Sequence, residues 1–249
     1  MTKPYFSPAK PRIFAHRGLA HHKGIDENTI EAFAEALQFG ATHLESDTQA
    51  TKDEVAVLFH DDDLRRVAGV DARVSELTLA ELQEISLLAG GQIPTLDQAL
   101  QHFPTAFFNL DIKTRRAIDP TIEAIEKHQA HDRVLVSSFS NPVRKSALSR
   151  FSRPVATSSS VSVALAAWAS NKFLFGLGFS NIVRDVDALQ LPISKGPIRF
   201  AEKSLIARAK SHGVEIHFWT INDPQQMSDL LQLGADGIVT DRTDLFQAE

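Results

Sequence analysis

The chain of 249 residues contains no cysteine. This absence excludes disulfide bonds, thiolate nucleophiles, iron–sulfur clusters and zinc sites built on thiolates. The chain also lacks an excess of positive charge: it has 26 Lys and Arg and 31 Asp and Glu, so the formal net charge is −5. A nucleic-acid-binding protein normally carries a basic patch or stripe. We therefore expect no nucleic-acid partner, and we expect anion binding to depend on a few well-placed cations.

Long hydrophobic runs are also missing. The first ten residues include two lysines and two prolines and lack the apolar core of a secretory signal. The most apolar helical stretch, residues 161–168, is far too short to span a bilayer. These observations predict a protein without a transmembrane segment, and a cytoplasmic location is the default expectation.

Strand-like apolar runs alternate with helical patterns along almost the whole chain, which is typical of a parallel α/β protein. A length of 249 residues is usual for one (β/α)8 barrel. We therefore predict an α/β fold of this kind, a TIM barrel, in a single domain over residues 1–249. Its eight strands are predicted at 12–16, 42–49, 107–112, 133–138, 154–158, 187–191, 214–220 and 237–240.

Two further segments interrupt the alternation. Residues 55–60 form a ninth strand-like run, and the turn at 52–54 is too short for a crossover, so we predict an antiparallel return from the second strand. Residues 61–94 are polar at first and then include a helix predicted around 78–88. We interpret 61–94 as a small insertion above the barrel mouth, where loops vary and substrates enter.

Helix starts are marked by capping patterns. Capping boxes are predicted at 28–31, 78–81 and 95–98, with Asn28 as the cap of the first. A capping side chain directly before a proline is found at Asp119, Asn141 and Asp223, which predicts three more helix starts.

Polar side chains follow several of the predicted strands. His16 ends the first strand, Glu45 and Asp47 lie on one face of the second, and Asp111 and Lys113 end the third. His60 ends the antiparallel return, and Asp241 follows the eighth strand. In barrels of this type functional groups lie at the carboxyl ends of the strands. Two histidines able to exchange protons near neutral pH, beside hard oxygen ligands, suggest metal-assisted acid/base chemistry on a charged substrate.

Each of these residues also has a structural interpretation. A single histidine at a strand end is more often a hydrogen-bonded core residue, whereas two beside an acidic pair favour a site. The Asp111 and Lys113 pair could be a structural ion pair inside the barrel. Arg17 could cap its strand, or its forked donors could hold phosphate oxygens. Trp219 is interpreted as half core and half substrate wall. No catalytic role is expected for four other histidines, His21, His22, His43 and His217.

Ten short motifs in a fixed order resemble the glycerophosphodiester phosphodiesterase family, and the resemblance runs from Ile13 to Asp241. The motifs are His16-Arg17-Gly18, Glu27-Asn28-Thr29, Glu45-x-Asp47, Thr51-Lys52-Asp53, His60-Asp61, Ile93-Pro94-Thr95-Leu96, Asp111-x-Lys113, Ser138-Phe139, Trp219-Thr220-x-Asn222 and Asp236-Gly237-Ile238-x-Thr240-Asp241. The resemblance implies a TIM barrel with a small insertion after the second strand. It also implies hydrolysis of a small-molecule glycerophosphodiester to glycerol 3-phosphate and an alcohol.

The resemblance further implies residue roles. His16 and His60 would form the acid/base pair, and Arg17, Lys113 and Trp219 would bind the phosphate and the substrate. Glu45, Asp47 and Asp111 would hold one divalent cation, and an oxygen-only set of carboxylates suits Mg²⁺ or Ca²⁺ better than zinc. Most family members have Glu at the position of Asp111, and an aspartate there also resembles the related sphingomyelinase D-type phospholipases.

Three alternatives stay open at the level of the sequence. The first is a lysophospholipase D or sphingomyelinase D-like phospholipase on the same barrel, which would need an exposed apolar surface around residues 61–94. The second is a catalytically silent barrel that binds phosphorylated ligands. The third is a Schiff-base aldolase that uses Lys113, although a neighbouring Asp111 would keep that amine protonated.

Overall fold

Eight parallel strands form a nearly closed barrel, as predicted. The structure, a computed structural model, describes residues 3–20 and 24–246. The barrel strands are β1 (Arg12–His16), β2 (His43–Ala50), β4 (Phe107–Ile112), β5 (Val134–Ser137), β6 (Ala156–Thr157), β7 (Ala188–Pro192), β10 (Glu215–Trp219) and β11 (Gly237–Thr240). Their order in the sheet is β6-β5-β4-β2-β1-β11-β10-β7. A single bridge between Ser158 and Ala188 joins the two end strands.

The helices follow the strands in the expected alternation. They are α1 (Ile30–Gln38), α2 (Arg65–Ala68), α3 (Leu79–Gln83), α4 (Leu96–His102), α5 (Ile118–Lys127), α6 (Asn141–Leu148), α7 (Val161–Phe173), α8 (Phe179–Val183), α9 (Lys203–Ser211) and α10 (Pro224–Leu233). Two large apolar clusters lie between strands and helices, one on each side of the barrel. None of the helices within 3–20 and 24–246 combines the length and the apolarity needed to cross a membrane.

Strand register decides which polar groups meet at the barrel mouth. His16 of β1 is paired with Glu45 of β2, and Asp47 of β2 is paired with Asp111 of β4. Every residue of β2 is buried, because its two faces are covered by the barrel interior and by the helices. The carboxylates of Glu45 and Asp47 are therefore carried on a rigid, dry strand.

The opposite end of the barrel interior is filled by aromatic rings. The ring centroids of His43 and His217 lie 4.7 Å and 4.6 Å from that of Phe14, and both histidines are fully buried. Burial lowers the pKa of His43 to about 3, so this ring is neutral at pH 7. These two histidines pack in the core, as interpreted from the sequence, whereas His21 and His22 lie outside the described residues.

Most of the local helix signals are confirmed, but three caps were assigned wrongly. Thr78, Thr95 and Asp223 are the N-caps of α3, α4 and α10. The cap of α1 is Thr29 and not Asn28, because Asn28 adopts a φ of +59° and its side chain accepts a hydrogen bond from Ser46. Helices α5 and α6 are capped by Ala117 and Ser140, so Asp119 and Asn141 lie inside the first turns.

The predicted antiparallel return is confirmed as β3 (Ala56–Leu58), which pairs with β2. Residues 61–94 contain α2, a 3-10 turn at Val74–Glu76 and α3, which is shorter than the helix predicted over 78–88. They pack on their own small apolar cluster. A second hairpin, formed by β8 (Ser194–Lys195) and β9 (Ile198–Arg199), was not predicted.

Candidate active site

All eight residues singled out from the sequence line one pocket at the carboxyl ends of the strands. They are His16, Arg17, Glu45, Asp47, His60, Asp111, Lys113 and Trp219. Four barrel strands or the loops directly after them supply seven of these side chains, and the loop after β3 supplies His60. A rigid barrel therefore presents acidic, basic and aromatic groups to a single mouth.

His16 is held by a carboxylate from the last barrel strand. Its Nδ1–H donates to Asp241 Oδ1 at 2.7 Å, and its Nε2 lies 3.9 Å from Glu45 Oε2. Burial works against the charged ring, but the Glu45 carboxylate and the hydrogen bond to Asp241 outweigh it and raise the pKa of His16. The ring is therefore orientated through Nδ1, and Nε2 is the nitrogen directed towards the acids.

His60 is held in the same way by its neighbour in the chain. Its Nδ1–H donates to Asp61 Oδ1 at 2.6 Å. Arg66 of α2 donates to the other Asp61 oxygen at 2.6 Å, so residues 61–94 brace this histidine. In both histidines Nδ1 is occupied, which leaves Nε2 as the nitrogen available for proton transfer.

Arg66 also reaches the opposite side of the mouth. Its guanidinium donates to both oxygens of Glu27 at 2.9 and 2.6 Å, and Glu27 accepts a third hydrogen bond from Arg17 at 3.0 Å. Burial works against the charged Glu27, but the hydrogen bonds from Arg66 dominate and lower its pKa. One residue of the insertion thus ties together the supports of His60 and Arg17.

The three carboxylates of the pocket are buried. Burial and the neighbouring Asp47 charge raise the pKa of Glu45 to about 7, against the opposing effect of His16, Arg17 and Lys113. Burial also raises the pKa of Asp111, although the Lys113 ammonium opposes it. Nearby cations therefore oppose the effect of burial on the pKa of Glu45 and of Asp111.

Lys113 is one of these cations. Its Nζ lies 2.6 Å from Asp47 Oδ1 and 2.9 Å from Asp111 Oδ2. Burial works against the charged amine, but the two carboxylates outweigh it and raise the pKa of Lys113. A permanently protonated amine is not a nucleophile, which argues against a Schiff-base aldolase.

The donor set of the pocket fits a hard cation. Asp47 Oδ2 is a buried carboxylate oxygen that accepts no hydrogen bond, and such oxygens are the usual ligands of Mg²⁺ and Ca²⁺. Among residues 3–20 and 24–246, no group of three histidines or acids lies close enough together to hold a metal ion in the present side-chain positions. The Lys113 ammonium lies between Asp47 and Asp111, where it neutralises them.

The other wall of the pocket is apolar. Trp219 and Phe139 pack with ring centroids 5.9 Å apart, and Lys113 Nζ lies 5.5 Å above the Phe139 ring. The remaining apolar lining comes from α7, the end of β7 and the segment after β9, and consists of Val161, Ala164, Leu165, Leu191, Pro192 and Phe200. A polar phosphate and a less polar alcohol group could thus be separated within one pocket.

Three supporting residues were not assigned from the sequence. Glu27, Asp61 and Asp241 belong to the motifs that carried the resemblance, so the sequence did contain a signal for them. Glu27 and Asp241 bind partners 10 and 225 residues away in the chain, and the bond of Asp61 to the adjacent His60 depends on side-chain direction. The position of Asp241 directly after the last strand placed it at the mouth, but its hydrogen bond with His16 was not predicted.

Gly18 is required by the turn that places Arg17. Its φ is +81°, and a Cβ would lie 2.6 Å from Ala32 Cβ and 2.7 Å from the Ala32 carbonyl carbon. We expect Gly18→Ala to lower the free energy of unfolding by at least about 2 kcal/mol, because conformational strain and overpacking add. Urea unfolding measures this loss. Gly213 has a φ of +73° and open space around it, so Gly213→Ala should lower the free energy of unfolding only by the conformational strain. Equal losses of stability in the two variants would contradict the steric argument.

The stability of the protein should fall as pH rises from 5 to 8 in EDTA. Glu45 has a pKa of about 7 in the folded state against 4.5 unfolded, so the folded state binds this proton more tightly and loses that advantage above pH 4.5. The raised pKa of His16 acts in the same direction, because the stability that the protonated ring contributes is lost as pH rises through the pKa of His16 in the folded state. The free energy of unfolding, measured with denaturant at pH 5 and at pH 8, should differ by up to about 3 kcal/mol because of Glu45.

Glu45→Gln should flatten this pH dependence, since an amide does not titrate in this range. Glu84→Gln, at an exposed glutamate, is the matched control and should keep the slope of the unaltered protein. An unchanged slope in Glu45→Gln would show that this carboxyl group does not cause it.

The chain matches the model of the Glycerophosphoryl diester phosphodiesterase family over residues 16–245. It is 36% identical over 234 residues to a Mycobacterium tuberculosis protein named "Probable glycerophosphodiester phosphodiesterase 2", covering 94% of this chain and 88% of the relative. It is 24% identical to a human lysophospholipase D, covering 93% and 85%. An Oleispira antarctica phosphodiesterase, solved with the product sn-glycerol-3-phosphate, has the same fold, with a TM-score of 0.79, 24% identity and coverage of 94% and 95%.

A phosphodiesterase barrel is the class of protein that this fold and these relatives define. The chain belongs to the glycerophosphoryl diester phosphodiesterase family, since the family model covers most of its length. The family resemblance, the barrel fold and the enzyme class predicted from the sequence are thereby confirmed.

Proposed function

We propose that this enzyme hydrolyses glycerophosphodiesters to glycerol 3-phosphate and an alcohol, with His16 and His60 as a general acid/base pair and with one divalent cation. The observation that carries the proposal is that both imidazoles line a pocket with three carboxylates and that each ring is held by an acid at Nδ1. That arrangement leaves one nitrogen of each ring to move a proton.

The proton steps follow from the two imidazoles. In a first displacement the substrate's neighbouring hydroxyl would attack, and in a second one water would open the resulting cyclic phosphate. In each displacement one ring takes the proton of the attacking hydroxyl or water while its oxygen forms a bond to phosphorus. The other ring gives a proton to the departing oxygen as its bond to phosphorus breaks, so the alcohol leaves neutral. The raised pKa of His16 favours the protonated ring, which suits it to the donor role in the first displacement.

Glu45, Asp47 and Asp111 would hold the divalent cation, Mg²⁺ or Ca²⁺, because they bring carboxylate oxygens to one mouth and Asp47 Oδ2 accepts no hydrogen bond. When bound, the ion would stabilise the negative charge on the phosphoryl oxygens. Arg17 and Lys113 bring positive charge to the same mouth and would bind the remaining phosphate oxygens. Trp219 would line the part of the pocket that receives the organic groups.

The test is a panel of glycerophosphodiesters with choline, ethanolamine, glycerol and inositol groups, each assayed with Mg²⁺ or Ca²⁺. Release of glycerol 3-phosphate from at least one diester is expected. Metal-dependent turnover of bis(p-nitrophenyl) phosphate would also exclude a silent binding barrel. If neither the panel nor this reporter is hydrolysed with either cation, the proposal is wrong.

A lysophospholipase D activity is the second candidate, favoured by the apolar wall of the pocket. The apolar surface that it needs was expected around residues 61–94, but Leu88 is the one large apolar side chain exposed there. Five of the eight exposed large apolar side chains in the described residues lie instead on and directly after α7. Assaying lysophosphatidylcholine beside glycerophosphocholine distinguishes the two substrates.

A further inference from the structure

The turn after α7 exposes an unusual group of large apolar side chains. Phe173, Leu174, Phe175 and Leu177 have 65%, 54%, 89% and 77% of their surface exposed. We call residues 173–177 the apolar turn. Soluble proteins rarely leave such a contiguous apolar patch uncovered unless it binds something.

The backbone of the apolar turn is held in place, so the exposure is built into the fold. The amide of Gly176 donates to the Ser170 carbonyl at 2.8 Å, and the Ser170 hydroxyl donates to the Leu177 carbonyl at 2.9 Å. Phe179, directly after the turn, is buried and anchors it. The apolar side chains therefore project from a well-defined support.

Unpaired cations lie beside this turn. Lys195, Arg199, Lys203 and Arg208, on the β8–β9 hairpin and on α9, form no ion pair with another described residue. Arg199 and Arg208 contact α7, since Trp168 donates to the Arg199 carbonyl at 3.0 Å and Arg208 donates to Asn171 at 2.8 Å. Lys195 lines the pocket together with Leu165 of α7, and Lys203 begins the helix that carries Arg208. Residues 161–211 contain seven Lys and Arg against three Asp and Glu, whereas the whole chain has a net charge of −5.

We propose that the apolar turn and these cations form a docking face for an anionic lipid surface. Exposed aromatic and aliphatic side chains that enter the headgroup region, beside Lys and Arg that attract anionic lipids, are the combination that peripheral membrane binding requires. A two-fold contact between copies of this chain would instead bring the same cations against one another. The face thus fits an anionic surface better than a second copy.

The docking face is continuous with the pocket mouth. Leu165 of α7 and Lys195 of the hairpin both line the pocket, and Leu165 is eight residues, or about 12 Å of helix, before Phe173. Docking would therefore bring the mouth next to the lipid surface. The inference concerns binding alone and does not rest on the proposed function.

The experiment is sedimentation of the full chain with vesicles of phosphatidylcholine alone or with 40% phosphatidylglycerol. We expect binding to the anionic vesicles, weaker binding at 0.5 M salt because charges are screened, and little binding to neutral vesicles. Phe175→Ser with Leu177→Ser should lower the partition coefficient at least tenfold. Each of Lys203→Gln and Arg199→Gln should lower it about fivefold.

Leu88→Ser is the matched control, because Leu88 is 71% exposed but lies in the insertion. It should bind vesicles like the unaltered protein, and the double variant should keep its melting temperature and its activity on a soluble diester. Absence of binding to anionic vesicles at low salt would overturn the inference, as would equal losses in the control. A dimer seen by light scattering and abolished by the double variant, without vesicle binding, would assign the face to a second copy.

Discussion

His60→Ala is expected to lower kcat by about 10²–10⁴ and to leave the fold intact. A positioned acid or base contributes a factor of this size to a proton transfer. His60 is the safer of the two imidazoles to remove, because its side chain is 35% exposed and therefore supports little of the core. Steady-state kinetics on a glycerophosphodiester measure the effect, and circular dichroism and thermal unfolding verify the fold.

The matched control is His102→Ala, at an exposed histidine in the last turn of α4. It should retain full activity. His16→Ala should lose a similar factor to His60→Ala, and the double variant should lose little more than either single one, because residues that act as a unit are not additive. Full activity in His60→Ala would refute the acid/base assignment.

The two histidines can be distinguished by the leaving group. A p-nitrophenol leaving group departs without protonation, so the variant that lacks the general acid should be impaired far less on p-nitrophenyl diesters than on glycerophosphocholine. The raised pKa of His16 predicts that His16→Ala is that variant. Equal losses on both substrates in both variants would contradict separate acid and base roles.

Removal of divalent cations is expected to lower activity at least 100-fold. Metal-assisted phosphoryl chemistry loses several kcal/mol of transition-state stabilisation without its ion. The buried oxygen Asp47 Oδ2 accepts no hydrogen bond that could replace the ion. Dialysis against EDTA followed by titration with Mg²⁺, Ca²⁺ and Zn²⁺ measures the loss and the recovery, and we expect Mg²⁺ or Ca²⁺ to restore more than Zn²⁺.

Asp47→Asn tests the ligand assignment without relying on activity. Calorimetric titration should show cation affinity lowered at least tenfold, and the rise in melting temperature on adding the cation should shrink accordingly. Asp71→Asn, whose side chain is 79% exposed in the insertion, should bind the cation normally. Undiminished cation binding by Asp47→Asn would show that the ion lies elsewhere.

The barrel was predictable because its signals are local. Apolar runs of strand length, separated by capped amphipathic helices, predicted all eight barrel strands to within about two residues at each end. Caps such as Thr78 and Thr95 depend on four consecutive residues, so they were also predictable. The Asn28 cap was wrong because a contact with Ser46, 18 residues away, decides its conformation.

The site was predictable as a set of residues but not as a set of contacts. Position at a strand end placed His16, Glu45, Asp47 and Asp111 at one mouth, because parallel strands share their carboxyl ends. The bond between His16 and Asp241 joins residues 225 apart, and the sequence contains no sign of which acid holds which ring. The β8–β9 hairpin was missed because each strand has only two residues.

The sequence by itself therefore determined the barrel, the family and the set of polar side chains that line the pocket, since periodicity, capping and motif order are properties of neighbouring residues. Only the tertiary structure decided the charge states and supports of the site, namely the raised pKa of Glu45, the bridging position of Lys113 and the bracing of His60 by Arg66. Those properties depend on burial and on distances between groups far apart in the chain, and electrostatic energies in a dry interior change steeply with both.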